Sequence, residues 1–330
     1  MIVSIINLSS TDPAFNLAAE EYLFSGMPRD RAYVMLWQND GAVIIGKYQN
    51  TAAEVNGPYL ESHGIKAVRR LSGGGAVYHD MGNLNFTLIT DARAGGKVDL
   101  ALFCRPVVRA LARFGVEAEI SGRNDVTVDG KKFSGNAQYV RDGRVMHHGT
   151  ILFDSDLAVV QEALRVKAEK LAGKGVSSVR SRVTNLKPLL PEGTTLEDFR
   201  RVLSQELSRG GEAEEASFSR ENLKAIRQLK RARYDRWEWN WGASPAGTLK
   251  NSARIEGAGS IEAVMGLEKG CIKSLSFQGD FFSSHEPEEL AARLIGVPLK
   301  AGALGDALKG LKVSDYFRGL TKRDLLELLM

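Results

Sequence analysis

The sequence contains very little cysteine and no long apolar run. Only two cysteines, Cys104 and Cys271, occur among its 330 residues, and their wide separation argues against a disulfide framework and against a cysteine-ligated zinc site. Scarce cysteine is typical of a reducing compartment, so we expect a cytoplasmic protein. No stretch is apolar for long enough to cross a bilayer, and the N-terminus lacks the basic segment of a secretory signal. We therefore expect no membrane partner.

The common signatures of nucleotide binding and hydrolysis are also missing. The sequence has neither G-x-x-x-x-G-K-[ST] nor G-x-G-x-x-G, and it has no G-x-S-x-G elbow of a serine hydrolase. His147 and His148 are adjacent on a predicted strand and must face opposite sides, while His79 stands alone. We therefore expect no histidine-ligated zinc site.

Positive charge is concentrated in the middle of the chain. The net charge is only +4, but residues 61–190 carry 20 Lys and Arg against 13 Asp and Glu. This excess favours an anionic substrate or an acidic partner, with a solvated basic face as the plainer alternative. The basic residues are scattered without an aromatic platform between them, so we expect no nucleic-acid partner.

The most informative stretch, residues 69–85, reads R-R-L-S-G-G-G-A-V-Y-H-D-M-G-N-L-N. Three consecutive glycines begin at Gly73 and allow the backbone to approach a ligand closely. Arg70 and Ser72 add a fixed positive charge and a hydroxyl, and the glycine N–H groups can line a concavity for phosphate oxygens. The stretch therefore predicts an anion-binding loop, although a tight surface turn is the commoner fate of such segments.

The pattern of apolar residues and turns predicts an α+β fold. Strands are expected near 2–7, 32–37, 42–46, 65–70, 84–90, 125–128, 132–140 and 145–153. Short turns join several of them, so we expect a mostly antiparallel or mixed β-sheet flanked by helices. The turn Asn39-Asp40-Gly41 in particular is typical of a hairpin between its two neighbouring strands.

The C-terminal part of the chain predicts a separate small module. Three strand-like runs, 249–256, 260–267 and 271–278, and several short helices indicate an α+β accessory domain. Before it, the alternating tryptophans Trp237, Trp239 and Trp241 predict an extended connector. We accordingly predict a large domain over residues 1–245 and a small domain over residues 246–330.

A second informative stretch, residues 122–138, reads G-R-N-D-V-T-V-D-G-K-K-F-S-G-N-A-Q. If this part is extended, Lys132 and Ser134 share one face and Lys131 lies on the other. A lysine on a rigid strand near a phosphate loop is a suitable electrophilic stabiliser, because its compact cation can lie against phosphate and carbonyl oxygens. Asp125 could bind a Mg²⁺ ion that neutralises nucleotide phosphates. Each of these charges could equally lie on a surface turn.

These two stretches resemble lipoate-protein ligase A. The resemblance also rests on H-H-G-T-I-L-F at 147–153. Shorter matching pieces are D-P-A-F-N-L-A-A-E-E at 12–21, L-W-Q-N at 36–39, Q-N at 49–50, S-V-R-S-R-V-T-N-L at 178–186 and E-W-N-W-G at 238–242. The likeness spans nearly the whole chain, and its motifs are long and ordered.

The resemblance implies a biotin/lipoate ligase-like fold and a reaction that uses ATP and Mg²⁺. Members of the family activate lipoate to lipoyl-adenylate, release pyrophosphate and pass the lipoyl group to a specific lysine of an acceptor. By resemblance, Lys132 rather than Lys131 is the essential catalytic lysine, Arg70 contacts ATP, and residues 173–183 fold over the adenylate as a lid. The expected adenylate-binding residues are Arg70, Ser72, Gly73, Gly74, Gly75, Ala76, Val77, Tyr78, His79, Asn83, Asp125, Lys132, Ser134, His148, Lys174, Arg180 and Arg182.

The resemblance further implies the partners of the protein and leaves two alternatives open. The expected acceptors are the lipoyl domains of 2-oxoacid dehydrogenase complexes and the glycine-cleavage H protein, and we expect a monomer. An octanoyl or lipoyl acyltransferase of the same fold would need an activated cysteine for a thioester. A non-catalytic lipoate-binding protein would need no reactive group at all. A biotin ligase is disfavoured because the loop lacks the arginine-interleaved glycines of that family.

Overall fold

The computed structural model describes residues 1–91, 100–121, 125–165, 183–244, 247–255, 259–279, 285–317 and 319–330. Contacts within the chain divide it into two compact units, Met1–Lys47 with Ile65–Asp235 and Tyr48–Gly64 with Arg236–Met330. The predicted domain boundary at residue 245 stays a prediction, and the membership of residues 48–64 in the second unit was not anticipated. Within the described ranges, no helix has the length and hydropathy needed to cross a membrane.

The first unit is built on an eight-stranded mixed sheet. The described strands of the chain are β1 (Ile2–Asn7), β2 (Ala32–Trp37), β3 (Ala42–Ile45), β4 (Lys66–Arg69), β5 (Val77–His79), β6 (Asn83–Asp91), β7 (Glu119–Ser121), β8 (Asp125–Val128), β9 (Lys131–Arg141), β10 (Arg144–Leu152), β11 (Glu212–Glu215), β12 (Gly247–Ile255), β13 (Gly259–Glu268) and β14 (Cys271–Gly279). The large sheet has the order β11-β1-β2-β6-β10-β9-β8-β7. Strand β1 pairs in parallel with β2 and β11, and the other neighbours are antiparallel. The predicted mixed sheet is thus confirmed.

A second, three-stranded sheet carries the glycine-rich segment. Its order is β4-β3-β5, and residues 70–76, here called the glycine loop, connect β4 to β5. The predicted hairpin across Asn39-Asp40-Gly41 is wrong, because β2 pairs with β1 and β6 while β3 pairs with β4 and β5. All six residues of β2 are buried, and such a strand is stable inside a sheet rather than in an isolated hairpin. The turn instead passes the chain from one sheet to the other.

Helices cover both faces of the large sheet. Those of the first unit are α1 (Pro13–Ser25), Leu100–Ala112, Leu157–Ala163, Leu196–Leu207 and Arg220–Leu229. Helix α1 has clear end signals in the sequence, with the side chain of Asp12 as its N-cap, Pro13 at its first position and Gly26 at its end. The hydrophobic core includes Phe86, Phe133 and Phe199, and large buried rings of this kind stabilise the packing of helices on a sheet.

The second unit contains the antiparallel sheet β12-β13-β14, which confirms the three predicted C-terminal strands. Its helices are Thr51–Glu54, Gly57–Ser62, Pro287–Leu294, Ala301–Ala307, Val313–Tyr316 and Lys322–Leu329. The predicted extended connector is wrong, because Glu238–Gly242 forms a π-helical turn. Thr51 explains this difference, since its hydroxyl donates to the Asn240 carbonyl oxygen at 2.6 Å and its N–H donates to Ser244 Oγ at 3.1 Å. Contacts this distant in sequence leave no local pattern.

Candidate active site

Arg70 holds the glycine loop in shape. The side chain is buried, with 6% of its surface exposed. Its guanidinium donates to Ser72 Oγ (3.0 Å) and to the carbonyl oxygens of Ile44 (3.1 Å), Gly73 (2.7 Å) and Gly75 (2.8 Å). Burial lowers the pKa of Arg70 to about 10, so the group keeps its charge at neutral pH. Arg70 therefore positions the loop, and its direct contact with ATP stays a prediction.

Gly74 is the loop position that requires glycine. Its φ of 92° lies in a region that other residues rarely adopt. A Cβ at this position would also lie 3.0 Å from Nη2 of Arg70. Arg70 binds two carbonyl oxygens of the loop, and the positive φ of Gly74 reverses the direction of the backbone. The loop therefore has a fixed shape before a ligand binds.

A buried chain of hydrogen bonds connects the glycine loop to helix α1. Ser72 Oγ lies 2.6 Å from His148 Nε2, and His148 Nδ1 lies 2.8 Å from Glu20 Oε1. The hydroxyl of Thr87 donates to the same oxygen of Glu20 at 2.7 Å, and Trp37 Nε1 donates to Thr87 Oγ1 at 3.0 Å. Glu20 is only 2% exposed, and these partners offset the loss of its hydration.

Lys132 lies on β9. The register between β8 and β9 shifts between Val126 and Thr127, and this bulge breaks the alternation of side chains along β9. As a result, Ser134 is fully buried, whereas Lys132 Nζ lies above Gly135, 2.9 Å from the position of a Cβ there. The prediction that Lys132 and Ser134 share a face is therefore wrong.

Asp125 forms an ion pair with this lysine. Its Oδ1 lies 2.7 Å from Lys132 Nζ, and 36% and 35% of the two side chains are exposed. A half-exposed pair of this kind contributes about 1 kcal/mol or less to stability, so it can open at little cost when a ligand binds. No cluster of three or more potential metal ligands occurs in the part of the chain that the structure describes. The role of Asp125 as a Mg²⁺ ligand stays a prediction.

A cavity of about 120 Å³ joins these groups. One row of side chains crosses it: Trp37 pairs with Asn85, Asn85 pairs with Thr150, and Thr150 Oγ1 accepts from the Gly135 N–H at 3.2 Å. Since neighbouring strands lie about 4.8 Å apart, this row spans about 14 Å from β2 to β9. Lys132 therefore marks one end of the row, and Trp37 marks the other. The lining residues are Leu17, Trp37, Ile44, Arg70, Gly74, Gly75, Ala76, Val77, His79, Asn85, Lys132, Gly135, Asn136, Ala137, His148, Gly149 and Thr150.

The walls of the cavity combine fixed positive charge with apolar surface. Arg70 and Lys132 supply the cations, and Leu17, Ile44 and Val77 supply hydrocarbon. A pocket of this composition suits a molecule with an anionic head and an apolar tail.

The adjacent histidines of β10 face opposite sides, as predicted. His148 faces the cavity, while the ring of His147 packs against Phe86 in the core at a centroid distance of 5.8 Å. Burial lowers the pKa of His147 to about 3, with the nearby His148 as a lesser cause. Burial likewise lowers the pKa of His79 to about 3, and Arg70 adds to that shift. His79 and His147 are therefore neutral at physiological pH.

The structure brings part of the predicted set to the cavity. The predicted residues that line it are Arg70, Gly74, Gly75, Ala76, Val77, His79, Lys132 and His148. The other predicted residues that the structure describes are not among the lining residues; they are Ser72, Gly73, Tyr78, Asn83, Asp125 and Ser134. Lys174, Arg180 and Arg182 of the predicted lid lie outside the described residues. The individual binding roles of all these residues stay predictions.

Several residues of the site were missed in the sequence. Trp37, Asn85 and Thr150 line the cavity, and Glu20 anchors His148. Glu20 could have been identified from the sequence, because a carboxylate among the alanines and leucines of an apolar helix face needs a buried partner. The polar residues of β6 and β10 gave a second signal, since they alternate with core residues on strands that are otherwise apolar.

The cysteines are remote from this chemistry. Cys104 is fully buried in the core on helix Leu100–Ala112. Cys271 belongs to the second unit. Neither is among the described residues that line the cavity.

Comparisons with known proteins agree with this geometry. The lipoyl protein ligase A/B catalytic domain family matches residues 12–208, and the bacterial lipoate protein ligase C-terminus family matches residues 244–329. The chain is 41% identical to the lipoate-protein ligase LplJ of Bacillus subtilis over 98% of this chain and 99% of that protein. It is 36% identical to lipoate–protein ligase 1 of Staphylococcus aureus, again over 98% of this chain and 99% of that protein.

Solved structures support the same relationship. A bipartite lipoate protein ligase from Thermoplasma acidophilum, studied together with its E2 lipoyl domain, superposes with a TM-score of 0.67 at 28% identity, covering 76% of this chain and 100% of that one. A lipoate-protein ligase A bound with ATP superposes with a TM-score of 0.66 at 25% identity, covering 74% of this chain and 100% of that one. From the matching motifs, the site and these relatives together, the chain belongs to the lipoate-protein ligase family.

Proposed function

We propose that this protein activates lipoate with ATP to give lipoyl-AMP and pyrophosphate, and then transfers the lipoyl group to a lysine of an acceptor lipoyl domain. The observation that carries the proposal is the cavity in which Lys132 and the glycine loop meet an apolar pocket. Related ligases have been solved with ATP and with lipoic acid, which supports both substrates.

In the first step, a carboxylate oxygen of lipoate attacks the α-phosphorus of ATP, and the bond to the pyrophosphate oxygen breaks. Both reactants are anions, so the step needs positive charge that is already in place. Lys132 Nζ, held above Gly135, can neutralise the carboxylate and the α-phosphate together. The glycine loop, fixed by Arg70, offers its backbone to the phosphate oxygens. No nucleophilic side chain is required.

A Mg²⁺ ion fits the remaining polar group of the site. Asp125 is a half-exposed carboxylate beside Lys132, and Mg²⁺ commonly takes one carboxylate while it keeps water and phosphate ligands. When bound, the ion would neutralise the leaving pyrophosphate. Asp125 would hold the ion once its ion pair with Lys132 had opened.

In the second step, the ε-amine of the acceptor lysine attacks the lipoyl carbonyl carbon and AMP leaves. The acceptors that we propose are lipoyl domains of 2-oxoacid dehydrogenase complexes and the glycine-cleavage H protein. The Thermoplasma ligase was studied with an E2 lipoyl domain, which supports the first of these classes. The apolar walls of the cavity shield the mixed anhydride from water between the two steps.

A cysteine-dependent acyltransferase is the less favoured alternative. It would need an activated thiol at the cavity, yet Cys104 is fully buried in the core.

The assay that separates the functions combines the protein with lipoate, Mg-ATP and an apo lipoyl domain. We expect pyrophosphate release and an acceptor mass increase of one lipoyl group. Lipoate binding without pyrophosphate or transfer would instead indicate a binding protein.

A further inference from the structure

The Trp37 end of the cavity is the place for the tail of the acid. The carboxyl group must meet Lys132, so the tail points along the row of side chains toward Trp37. There the ring of His79 packs edge-on against Trp37, with a centroid distance of 6.1 Å and an angle of 68° between the planes. Leu17 and Ile44 add apolar wall.

Two N–H donors in this region are buried without a partner. Asn39 Nδ2 lies 3.0 Å from His79 Nδ1 and donates to it, so the proton of the neutral ring is on Nε2. Asn83 Nδ2 donates to Asn85 Oδ1 at 2.9 Å. The oxygen of the Asn85 amide is therefore in use, and its Nδ2 group remains as a donor. Among the described residues, neither His79 Nε2 nor Asn85 Nδ2 has a hydrogen-bond partner. Both residues line the cavity.

A donor that is buried without an acceptor is costly, and a purely hydrocarbon tail cannot relieve that cost. Octanoate offers only hydrocarbon at this end. Lipoate offers two sulfur atoms, which accept hydrogen bonds weakly and pack well against aromatic edges such as that of Trp37. The two acids therefore differ at the end of the cavity where the unpaired donors are found.

We propose that His79 Nε2–H and Asn85 Nδ2 form a subsite that recognises the sulfur atoms of the dithiolane ring and favours lipoate over octanoate. The inference rests on the proposed function and concerns only the choice of acid. The two residues are specificity residues, because they act on the tail and take no part in bond making at the carboxyl end.

The test compares pyrophosphate release by the full-length protein with lipoate and with octanoate, each with Mg-ATP. His79→Phe keeps an aromatic ring beside Trp37 but removes the Nε2 donor, and Asn85→Leu removes the other donor at similar size. For each variant we expect the ratio of kcat/KM for lipoate to that for octanoate to fall about tenfold. The matched control is His147→Phe, which replaces another buried neutral histidine on the core face of the sheet. This control should leave the ratio unchanged.

A second measurement needs no variant, which matters because His79→Phe also removes the acceptor of Asn39. In wild-type protein labelled with ¹⁵N-histidine, saturating lipoate should move the Nε2–H resonance of His79 downfield, and octanoate should not. Equal shifts with both acids, or ratios within twofold of wild type in folded variants, would overturn the subsite alone. A wild-type protein that forms no adenylate from either acid would overturn the proposed function, and the subsite with it.

Discussion

The replacement Gly135→Ala tests whether catalysis depends on where Lys132 is held. An added Cβ would lie 2.9 Å from Lys132 Nζ and 3.0 Å from its Cε, while ordinary contacts begin at 3.4 Å. The flexible end of the lysine must therefore retreat by at least about 0.5 Å, and a misplacement on the order of 1 Å can cost about a hundredfold in rate. Because the clash involves no backbone atom, we expect the free energy of unfolding to change by less than about 1 kcal/mol.

The assay is kcat/KM for lipoate from pyrophosphate release, measured beside a thermal melt of each protein. Gly302→Ala is the matched control, because its Cβ would meet nothing within 4 Å and it lies on a helix of the second unit. The control should keep full activity. A folded Gly135→Ala protein with activity within twofold of wild type would show that the lysine tolerates displacement and that catalysis does not depend on where it is held.

Two further predictions concern stability and the cysteine alternative. His79 and His147 have a pKa of about 3 in the folded protein and about 6.5 when unfolded, so the unfolded chain binds more protons between these values and stability falls as pH drops through that window. At pH 5.5, each histidine should cost about 1.4 kcal/mol, and urea unfolding of His147→Phe should show a shallower pH dependence than wild type; an unchanged slope would contradict this assignment. Cys104→Ala should lower the free energy of unfolding by about 1 kcal/mol because it opens a small gap in the core, yet adenylation and transfer should persist. A folded but inactive Cys104→Ala protein would instead favour the cysteine-dependent acyltransferase.

Local signals were sufficient for much of the fold. The cap at Asp12, Pro13 at the first position and the end at Gly26 define helix α1 from neighbouring residues alone. The three C-terminal strands were predicted for the same reason, because each is a β-rich run bounded by turn residues. The predicted hairpin at Asn39-Asp40-Gly41 was wrong. The turn residues were interpreted correctly, but burial across the whole sheet decides which strands pair.

The candidate site was predictable where it lies in one continuous stretch. Arg70 and the glycines were found because the loop is local, and Lys132 was chosen by resemblance to the family. The role of Arg70 in holding the loop in shape could not be predicted, since one of its acceptors, the carbonyl oxygen of Ile44, lies on another strand. Glu20 was missed because its hydrogen-bond partners, His148 and Thr87, are distant in sequence. Asn85 was missed because the strand neighbours that place it in the cavity, Trp37 and Thr150, are distant as well. The bulge that turns Lys132 toward Gly135 depends on the register with β8, which residue alternation cannot show.

In the proposed reaction, Lys132 supplies the charge for forming the adenylate. The most direct measurement is the single-turnover formation of lipoyl-AMP by Lys132→Ala and by Lys131→Ala, the exposed lysine next to it on β9. We expect the Lys132 variant to lose about a hundredfold to a thousandfold in rate, the loss typical of removing one preorganised electrostatic partner. The Lys131 variant should stay within about twofold of wild type, because its exposed charge is screened by solvent. Equal losses in both variants, or a fully active Lys132→Ala protein, would show that Lys132 does not supply this charge.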